Sequence, residues 1–357
     1  MHTDPLRIAT AGGTYDIIVA AGAHARLPAL LAELGLVGTL HLISDDVVFA
    51  HYGGRLVADL EAAGRTVRTT IVPHGEQSKD LATAATLYDA LIGGGVERRD
   101  VVLALGGGVV GDLAGFVAAT VLRGIAVVQL PTTLLAMIDS AIGGKTGVNH
   151  ALGKNLIGAF HQPRLVLADT GTLRTLPPRE LAAGWAEVIK HAMIRDAALF
   201  ADLAAAGPQI LDAGLIRRAA AVKVAVVNAD ERETGERMLL NYGHTIGQAV
   251  ETASGYGVLL HGEAVAIGMH AEAQLAAALG MLSGDAVERQ AALLEAYGLP
   301  VTIPAALPPS DLLAIMYRDK KVNAGKLRWA LPTAIGAARI VTDVPEDYVR
   351  AVLHGTA

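Results

Sequence analysis

The stretch from Leu103 to Asn155, LALGGGVVGDLAGFVAATVLRGIAVVQLPTTLLAMIDSAIGGKTGVNHALGKN, constrains this chain more than any other. It sets an apolar strand pattern, a glycine turn, a helix pattern and a second strand pattern in succession. Two polar loops bearing glycine and lysine follow. Val101 to Leu105 is a β-branched and aliphatic run of the kind a buried parallel strand needs. Gly106, Gly108 and Gly111 then fit the spacing G-x-G-x-x-G. Glycine there permits a tight turn and a close backbone approach to a diphosphate, with the next helix pointing its N-terminal N–H groups at the anion. The same glycines also fit a bare strand-to-helix turn. The motif follows several earlier strand patterns, whereas a dinucleotide fingerprint sits in the first β-α turn. Asp112, directly after the last glycine, suits a hydroxyl-bearing ligand better than a plain anion.

Around this stretch, strand and helix patterns alternate. Arg7 to Ala20 reads as two strands around Gly12-Gly13, a hairpin signal. Helical spacing from His24 to Leu36 is followed by a strand from Thr39 to Ser44, ending in Asp45-Asp46. Val48 to Ala63 is helical, and Thr66 to Val72 is a strand with a polar turn after it, Pro73 to Lys79. Asp80 to Ile92 is helical before Gly93-Gly94-Gly95 breaks the chain. Such alternation means a parallel sheet with helices on its faces, and ligands in such folds sit at the carboxyl ends of the strands. Asp45, Glu76, Gly107 and Thr132 all follow strands closely and fall along one edge. After about Asp169 the texture changes. Helix patterns run over 179–194, 211–228, 241–252, 263–279, 285–296 and 310–318, with no clear strand from Leu173 until Leu327 to Leu331. The domain boundary falls near 170 to 178, giving an N-terminal domain 1–172 and a helical domain 173–357.

Composition narrows the function classes. At 357 residues the chain is longer than one core usually serves, so two domains are expected. Aromatics are only 4% against 52% hydrophobic residues, so the cores are built from Ala, Val, Leu and Ile. A mean hydropathy of +0.42 raises the question of a membrane span. The best candidate, Val101 to Leu122, contains Asp112 and five glycines in strand-turn-helix rhythm and is rejected. The first residues, MHTDPLRIATAGG, lack the apolar core of a secretory signal. Without cysteine, neither disulfides nor thiolate metal sites are available. A net charge of −6 argues against nucleic-acid binding. A soluble, cytoplasmic protein without membrane or nucleic-acid partners is the expectation.

Three polar groups interrupt the helical half. Glu187 and Lys190, in GWAEVIKHAM, share one helix face at i and i+3 and read either as a buried ion pair or as site residues. His244, in LLNYGHTIGQAVE, and His261, in LLHGEAVAIGM, each open an apolar helix beside a glycine. One such histidine is ordinarily a cap or core residue. Two of them, 17 residues apart, with a carboxylate on a third helix, fit a catalytic zinc site with an open position. Spacing alone leaves His270 and His191 as rival ligands. Basic residues flank these positions: Arg123, Lys145, Lys154, Lys190, Lys223, Arg237 and Lys320-Lys321. Lys145 in GGKTG and Lys154 in LGKN suit phosphate or carboxylate; Lys320-Lys321 also reads as plain surface.

The ordered blocks GGGVVGDLAGFVAATVLRGI, QLPTTLLAMIDSAIGGKTGVN, GKNLIGAFHQP, GWAEVIKH, RMLLNYGHTIG, LHGEAVAIGM and DKK resemble the 3-dehydroquinate synthase family of sugar phosphate cyclases. The match runs from about Asp45 to Lys321, most of the chain. The resemblance implies an N-terminal α/β, Rossmann-like NAD-binding domain followed by an all-α C-terminal domain, a cleft between them and a homodimer. It implies one divalent metal, zinc or cobalt, on Glu187, His244 and His261. It places NAD on Asp45, Glu76, Lys79, Gly107, Gly108, Asp112, Thr132, Thr133, Lys145, Lys154 and Thr175. The substrate phosphate would meet Lys145, Asn155 and Arg123, the last from the other subunit. Asp139, Lys190, Lys223, Arg237, Asn241 and Lys320 or Lys321 would line the rest of the substrate site. The implied reaction takes the phosphorylated sugar acid 3-deoxy-D-arabino-heptulosonate 7-phosphate to 3-dehydroquinate and phosphate. Its steps are transient oxidation by NAD, phosphate elimination, re-reduction, ring opening and intramolecular aldol closure.

The sequence departs from the family at one position. The family pattern is GHTxGHA; here the second histidine is Gln248, in GHTIGQA. Glutamine hydrogen-bonds but does not titrate. The departure keeps open a related cyclase, an aminodehydroquinate or valiolone-type synthase. Arg237, Asn241 and Asp319-Lys320-Lys321 favour a substrate with a carboxylate and hence the dehydroquinate reading. Metal-dependent alcohol or glycerol-phosphate dehydrogenases would release NADH, and GGKTGVN and GKN argue against them. A cyclase-like binding protein without chemistry is disfavoured by the metal ligands and basic residues present.

Overall fold

The computed structural model describes residues 4–208, 211–255, 257–318, 322–323 and 326–355. The chain divides into two compact units, Met1–Leu176 and Pro177–Ala357.

The first unit holds β1 (Leu6–Thr10), β2 (Gly13–Ala20), α1 (Leu27–Glu33), β3 (Leu40–Asp45), the one-turn α2 (Asp46–Val48), α3 (Gly54–Ala62) and β4 (Val67–Val72). It continues through α4 (Leu81–Gly93), β5 (Val101–Gly106), α5 (Gly108–Thr120), β6 (Ala126–Pro131), β7 (Lys145–His150), β8 (Gly153–Phe160) and β9 (Leu165–Asp169). Seven strands form one sheet in the order β1-β2-β9-β6-β5-β3-β4. Only the β1–β2 pair is antiparallel. The carboxyl ends of β2, β3, β4, β5, β6 and β9 therefore meet at one edge.

Physical chemistry explains the order. Every residue of β5 is buried, because a central parallel strand has helices on both faces. Edge strand β4, VRTTIV, is by contrast exposed at three of its six residues, with only Val72 buried. The polar residues inside buried β3 are satisfied: Ser44 Oγ donates to Leu105 O at 2.8 Å, and His41 Nε2 lies 3.1 Å from Asp100 Oδ2. The Gly-rich segment read as two loops is instead an antiparallel hairpin, β7–β8. The turn Thr170–Thr175 stays with this unit, where Thr172 Oγ1 donates to Thr132 O at 3.3 Å and Tyr52 OH donates to Thr172 O at 3.0 Å.

The second unit holds α6 (Pro178–Arg195), α7 (Ala197–Ala206), α8 (Ala213–Ala229), α9 (His244–Ser254), α10 (His261–Ala278), α11 (Gly284–Ala296) and α12 (Pro309–Arg318). Short strands β10 (Val322–Asn323) and β11 (Lys326–Leu327) and the hairpin β12 (Trp329–Ala334) and β13 (Ala337–Val341) precede α13 (Glu346–Leu353). Asp196, Asp212 and Ser283 cap α7, α8 and α11 by accepting backbone N–H groups. Helix α9 begins at His244, three residues later than its periodicity suggests, because Gly243 turns left-handed there with φ +79°. Ile246, Val250, Ile267, Leu275, Leu312, Trp329 and Leu353 belong to the unit's apolar core. Among the described residues, no helix is long and apolar enough to cross a membrane.

Candidate active site

Helix α6 is buried continuously from Ala183 to Ile194, so Glu187 and Lys190 have no water to face. Their side chains are 0% and 1% exposed and form an ion pair through Glu187 Oε2. Glu187 Oε1 is also buried and receives no hydrogen bond from the described residues. It faces two imidazoles instead, with His244 Nε2 at 3.4 Å and His261 Nε2 at 3.7 Å.

The other ring nitrogens fix how those imidazoles present themselves. His244 Nδ1 lies 3.1 Å from the Tyr242 carbonyl and donates to it. His261 Nδ1 lies 3.2 Å from Glu251 Oε2. Each contact puts the proton on Nδ1 and leaves the Nε2 lone pair toward Glu187, the arrangement that orients metal-bound histidine. Burial opposes charge on His261, but Glu251 and then Glu187 outweigh it and raise its pKa above the ordinary value. Two nitrogen lone pairs and an unshared carboxylate oxygen converge on one point, an arrangement that asks for a cation.

The dimensions suit a small divalent ion. One ligand atom from each of the three residues lies within 4.8 Å of the others. Tetrahedral zinc with bonds near 2.0–2.1 Å separates its ligand atoms by about 3.3 Å, close to the contacts seen here. The His261 side chain is 37% exposed against 11% for His244, so the cluster is open on the His261 side. Three protein ligands with an accessible fourth position is the catalytic rather than the structural pattern.

Glycine makes the convergence possible. A Cβ on Gly262, next to His261, would lie 1.9 Å from Ala183 O of α6. One on Gly268 would lie 2.0 Å from Gly243 O, and one on Gly247 would lie 2.7 Å from Ala264 O. The helices bearing the three residues thus touch backbone to backbone, closer than any side chain allows.

Other expected residues of this unit sit as follows. Lys223 and Arg237 are buried, and Asn241 Nδ2 donates to Glu233 Oε1 at 2.8 Å. Gln248 lies one turn beyond His244 and is partly buried. The rival ligands stand outside the cluster: His191 Nδ1 is 2.9 Å from Ala219 O, and His270 Nε2 is 3.1 Å from Gln274 Nε2. Lys320 and Lys321, with Asp319, lie outside the described residues. Sequence reasoning missed Glu251 and Glu272; a carboxylate inside an apolar helix run was the available signal.

In the first unit the structure joins several expected residues around Lys79. Its Nζ donates to Asp112 Oδ2 and to Asn155 Oδ1, each at 2.6 Å. Asn155 holds a left-handed backbone, φ +55°, and its N–H donates to Asn149 Oδ1 at 2.9 Å. Asn149 Nδ2 in turn donates to Glu76 Oε1 at 2.7 Å. Asp45 caps α2 by accepting the Val48 N–H at 2.8 Å. Gly107 caps α5 and Gly108 opens it. Neither has a positive φ; a Cβ on Gly107 would lie 3.0 Å from Thr133 Cγ2, and one on Gly108 3.1 Å from Ser140 Oγ, so room at the helix start is what glycine provides. Thr132 is buried with its hydroxyl unmatched among the described residues, and Thr175 Oγ1 lies 2.5 Å from Tyr52 OH. Lys145 is exposed at the start of β7, Lys154 is partly buried on β8, and Asp139 is partly buried after β6. Arg123 is exposed in a turn with φ +67°.

Comparison with known proteins agrees over both units. Residues 69–183 match the family model for the 3-dehydroquinate synthase N-terminal domain, and residues 184–322 match that for its C-terminal domain. The 3-dehydroquinate synthase of Nostoc punctiforme is 49% identical over 351 residues, covering 96% of each chain. A 2-epi-5-epi-valiolone synthase from Streptomyces hygroscopicus, solved with NAD+ and Zn2+, is 33% identical with a TM-score of 0.89, covering 98% of each chain. A 2-deoxy-scyllo-inosose synthase solved with carbaglucose-6-phosphate, NAD+ and Co2+ is 28% identical with a TM-score of 0.87, covering 99% of this chain and all of that one.

Proposed function

The chain belongs to the 3-dehydroquinate synthase family, and we propose that it converts 3-deoxy-D-arabino-heptulosonate 7-phosphate to 3-dehydroquinate and phosphate. The observation that carries the reading is Glu187 Oε1, buried, without a hydrogen-bond donor among the described residues and facing two imidazole nitrogens. Glu187, His244 and His261 would hold a divalent ion, zinc or cobalt. NAD would lie against Asp45, Glu76, Lys79, Gly107, Gly108, Asp112, Thr132, Thr133, Lys145, Lys154 and Thr175. When bound, the metal supplies Lewis acidity at a substrate oxygen and NAD supplies reversible hydride uptake.

This chain's residues bind and orient the substrate. Lys145 and Asn155, with Arg123 of the partner subunit in a homodimer, would receive the phosphate. Arg237 and Asn241 would take the carboxylate end, with Asp139, Lys190, Lys223 and Lys320 around the carbon chain. Buried Arg237 suits a planar carboxylate by its fork of donors. Lys190, held on Glu187, would favour negative charge on a substrate oxygen nearby. Holding one conformer of a flexible sugar acid supplies much of the rate in such a site. Gln248 orients by hydrogen bonding and moves no proton, so water or a neighbour serves any transfer there. The cytoplasm is the compartment such a biosynthetic enzyme would occupy.

The test is phosphate release from zinc-loaded protein with catalytic NAD+. Equal amounts of phosphate and dehydroquinate, without net NADH, support the reading. Turnover of sedoheptulose 7-phosphate instead would move the chain to the valiolone-type synthases.

A further inference from the structure

Helix α9 carries His244 at its first position, yet its cap, Gly243, has no side chain to satisfy the free N–H groups there. The acceptor comes from another helix. Glu272 of α10, with no exposed surface, accepts the Gly243 N–H on Oε2 at 2.7 Å and the Thr245 and Ile246 N–H groups on Oε1 at 2.9 and 3.1 Å. Its helix is the one that begins with His261. We propose that Glu272 is a positioning residue for the metal cluster, locking the start of α9, and so His244, onto the helix that bears His261.

Three features of this arrangement support the proposal. First, the lock brackets the ligand: the N–H groups of residues 243, 245 and 246 all end on one carboxylate. Second, the preceding residue is tied to the same helix. Tyr242 OH lies 2.9 Å from Met269 O of α10 and 2.5 Å from Gln290 Oε1, while the Tyr242 carbonyl is the acceptor for His244 Nδ1. Third, the two helices have no slack here, since Gly243, Gly247 and Gly268 are in backbone-level contact across the pair.

The chemistry favours a carboxylate over a neutral acceptor. A helix start carries partial positive charge, and a buried carboxylate that accepts several backbone N–H groups is stabilised as the anion. A serine or aspartate cap on α9 itself would satisfy two of these donors without fixing the helix to its neighbour. Glu272 does both, so loss of the carboxylate loosens one ligand relative to the other two.

The inference rests on the metal reading, and zinc competition against a chromogenic chelator, using metal-stripped full-length protein, separates the two. Wild type taking up no zinc would sink the metal reading itself. With wild-type zinc binding in place, Glu272→Ala is expected to weaken zinc about tenfold or more, the range seen when partners behind metal ligands are removed. Glu272→Gln should fall between, because its amide oxygen can still accept from Thr245 and Ile246 while its NH2 opposes the Gly243 N–H. NAD affinity should not change. Leu353→Ala, in the same apolar core, controls for general destabilisation and should lower the melting temperature with zinc affinity intact. Unchanged zinc affinity in folded Glu272 variants, or an equal loss in Leu353→Ala, would overturn the proposal. Failure of both Glu272 variants to fold would assign the carboxylate to the fold and overturn it as well.

Discussion

Glu251 Oε2 stands 3.2 Å behind His261 Nδ1, on the side of the ring away from Glu187. The contact runs between helices and sets both the tautomer and the direction of the more exposed ligand. Glu251→Ala should therefore cost roughly ten- to hundredfold in zinc affinity without touching NAD binding. Chelator competition alongside NAD titration reads both; a loss confined to NAD would contradict the assignment.

His261→Ala removes the ligand itself. Turnover should vanish while NAD affinity stays near wild type, because the expected NAD contacts lie in the first unit. Equal loss of both by calorimetry and assay would argue against separate metal and cofactor roles.

Lys190→Met leaves Glu187 buried without its counter-charge. Breaking such a pair from one side costs about 3–5 kcal/mol, so the metal-stripped variant should be far less stable to denaturant than wild type. Zinc should restore more stability to the variant than it adds to wild type, since the ion replaces the missing charge. Denaturation curves with and without zinc give the comparison, and identical zinc increments would refute it.

Gly262→Ala places a methyl where Ala183 O already sits, 1.9 Å from the new Cβ. Helices α6 and α10 must part, and overpacking of this kind costs about 1–3 kcal/mol or more. Activity should fall further than stability, because Glu187 and His261 ride on those helices. Gly284→Ala, with open space at its Cβ, is the matched control and should be silent in both assays.

Acid stability offers a test away from the site. Burial works against charge on Asp100, but the N–H of Glu97, the His41 ring and the N–H of Thr39 prevail and lower its pKa. A group depressed in the folded state contributes stability above its unfolded value, near 3.8, and loses that contribution as pH falls through the folded value. Asp100→Asn should destabilise at neutral pH and flatten the stability curve below about pH 4. An unchanged acid limb in the variant would place the pH dependence elsewhere.

The parallel sheet was legible because its central strands are largely apolar runs ended by glycine or polar turns, as in Val101–Gly106. The β7–β8 hairpin was not, since KTGVNH and GKNLIGAF lack the alternation that marks a strand. Helix α7, AALFADLAAA, and strand β13 were also passed over; the first is a short alanine-rich run between two better-marked helices. The triad residues could be suspected from charge inside apolar helices, but spacing left His191 and His270 as rivals; the family resemblance singled out Glu187, His244 and His261, and the crossing of α6, α9 and α10 is the physical reason the other two stand apart. Glu251 and Glu272 stayed hidden for the same reason: on a helix of unknown rotation, a lone carboxylate reads as a solvated position.

The glycine contacts between α9 and α10 bear on which ions the cluster can serve. Side-chain packing can yield by rotamer changes, but main chain pressed on main chain has nothing left to rotate. The spacing of His244 and His261 is in that sense a property of the polypeptide track. Helix α6 is held on α10 in the same way at Gly262, so selection for a larger or smaller ion would find little give in the backbone of any ligand and would act through side-chain torsions alone.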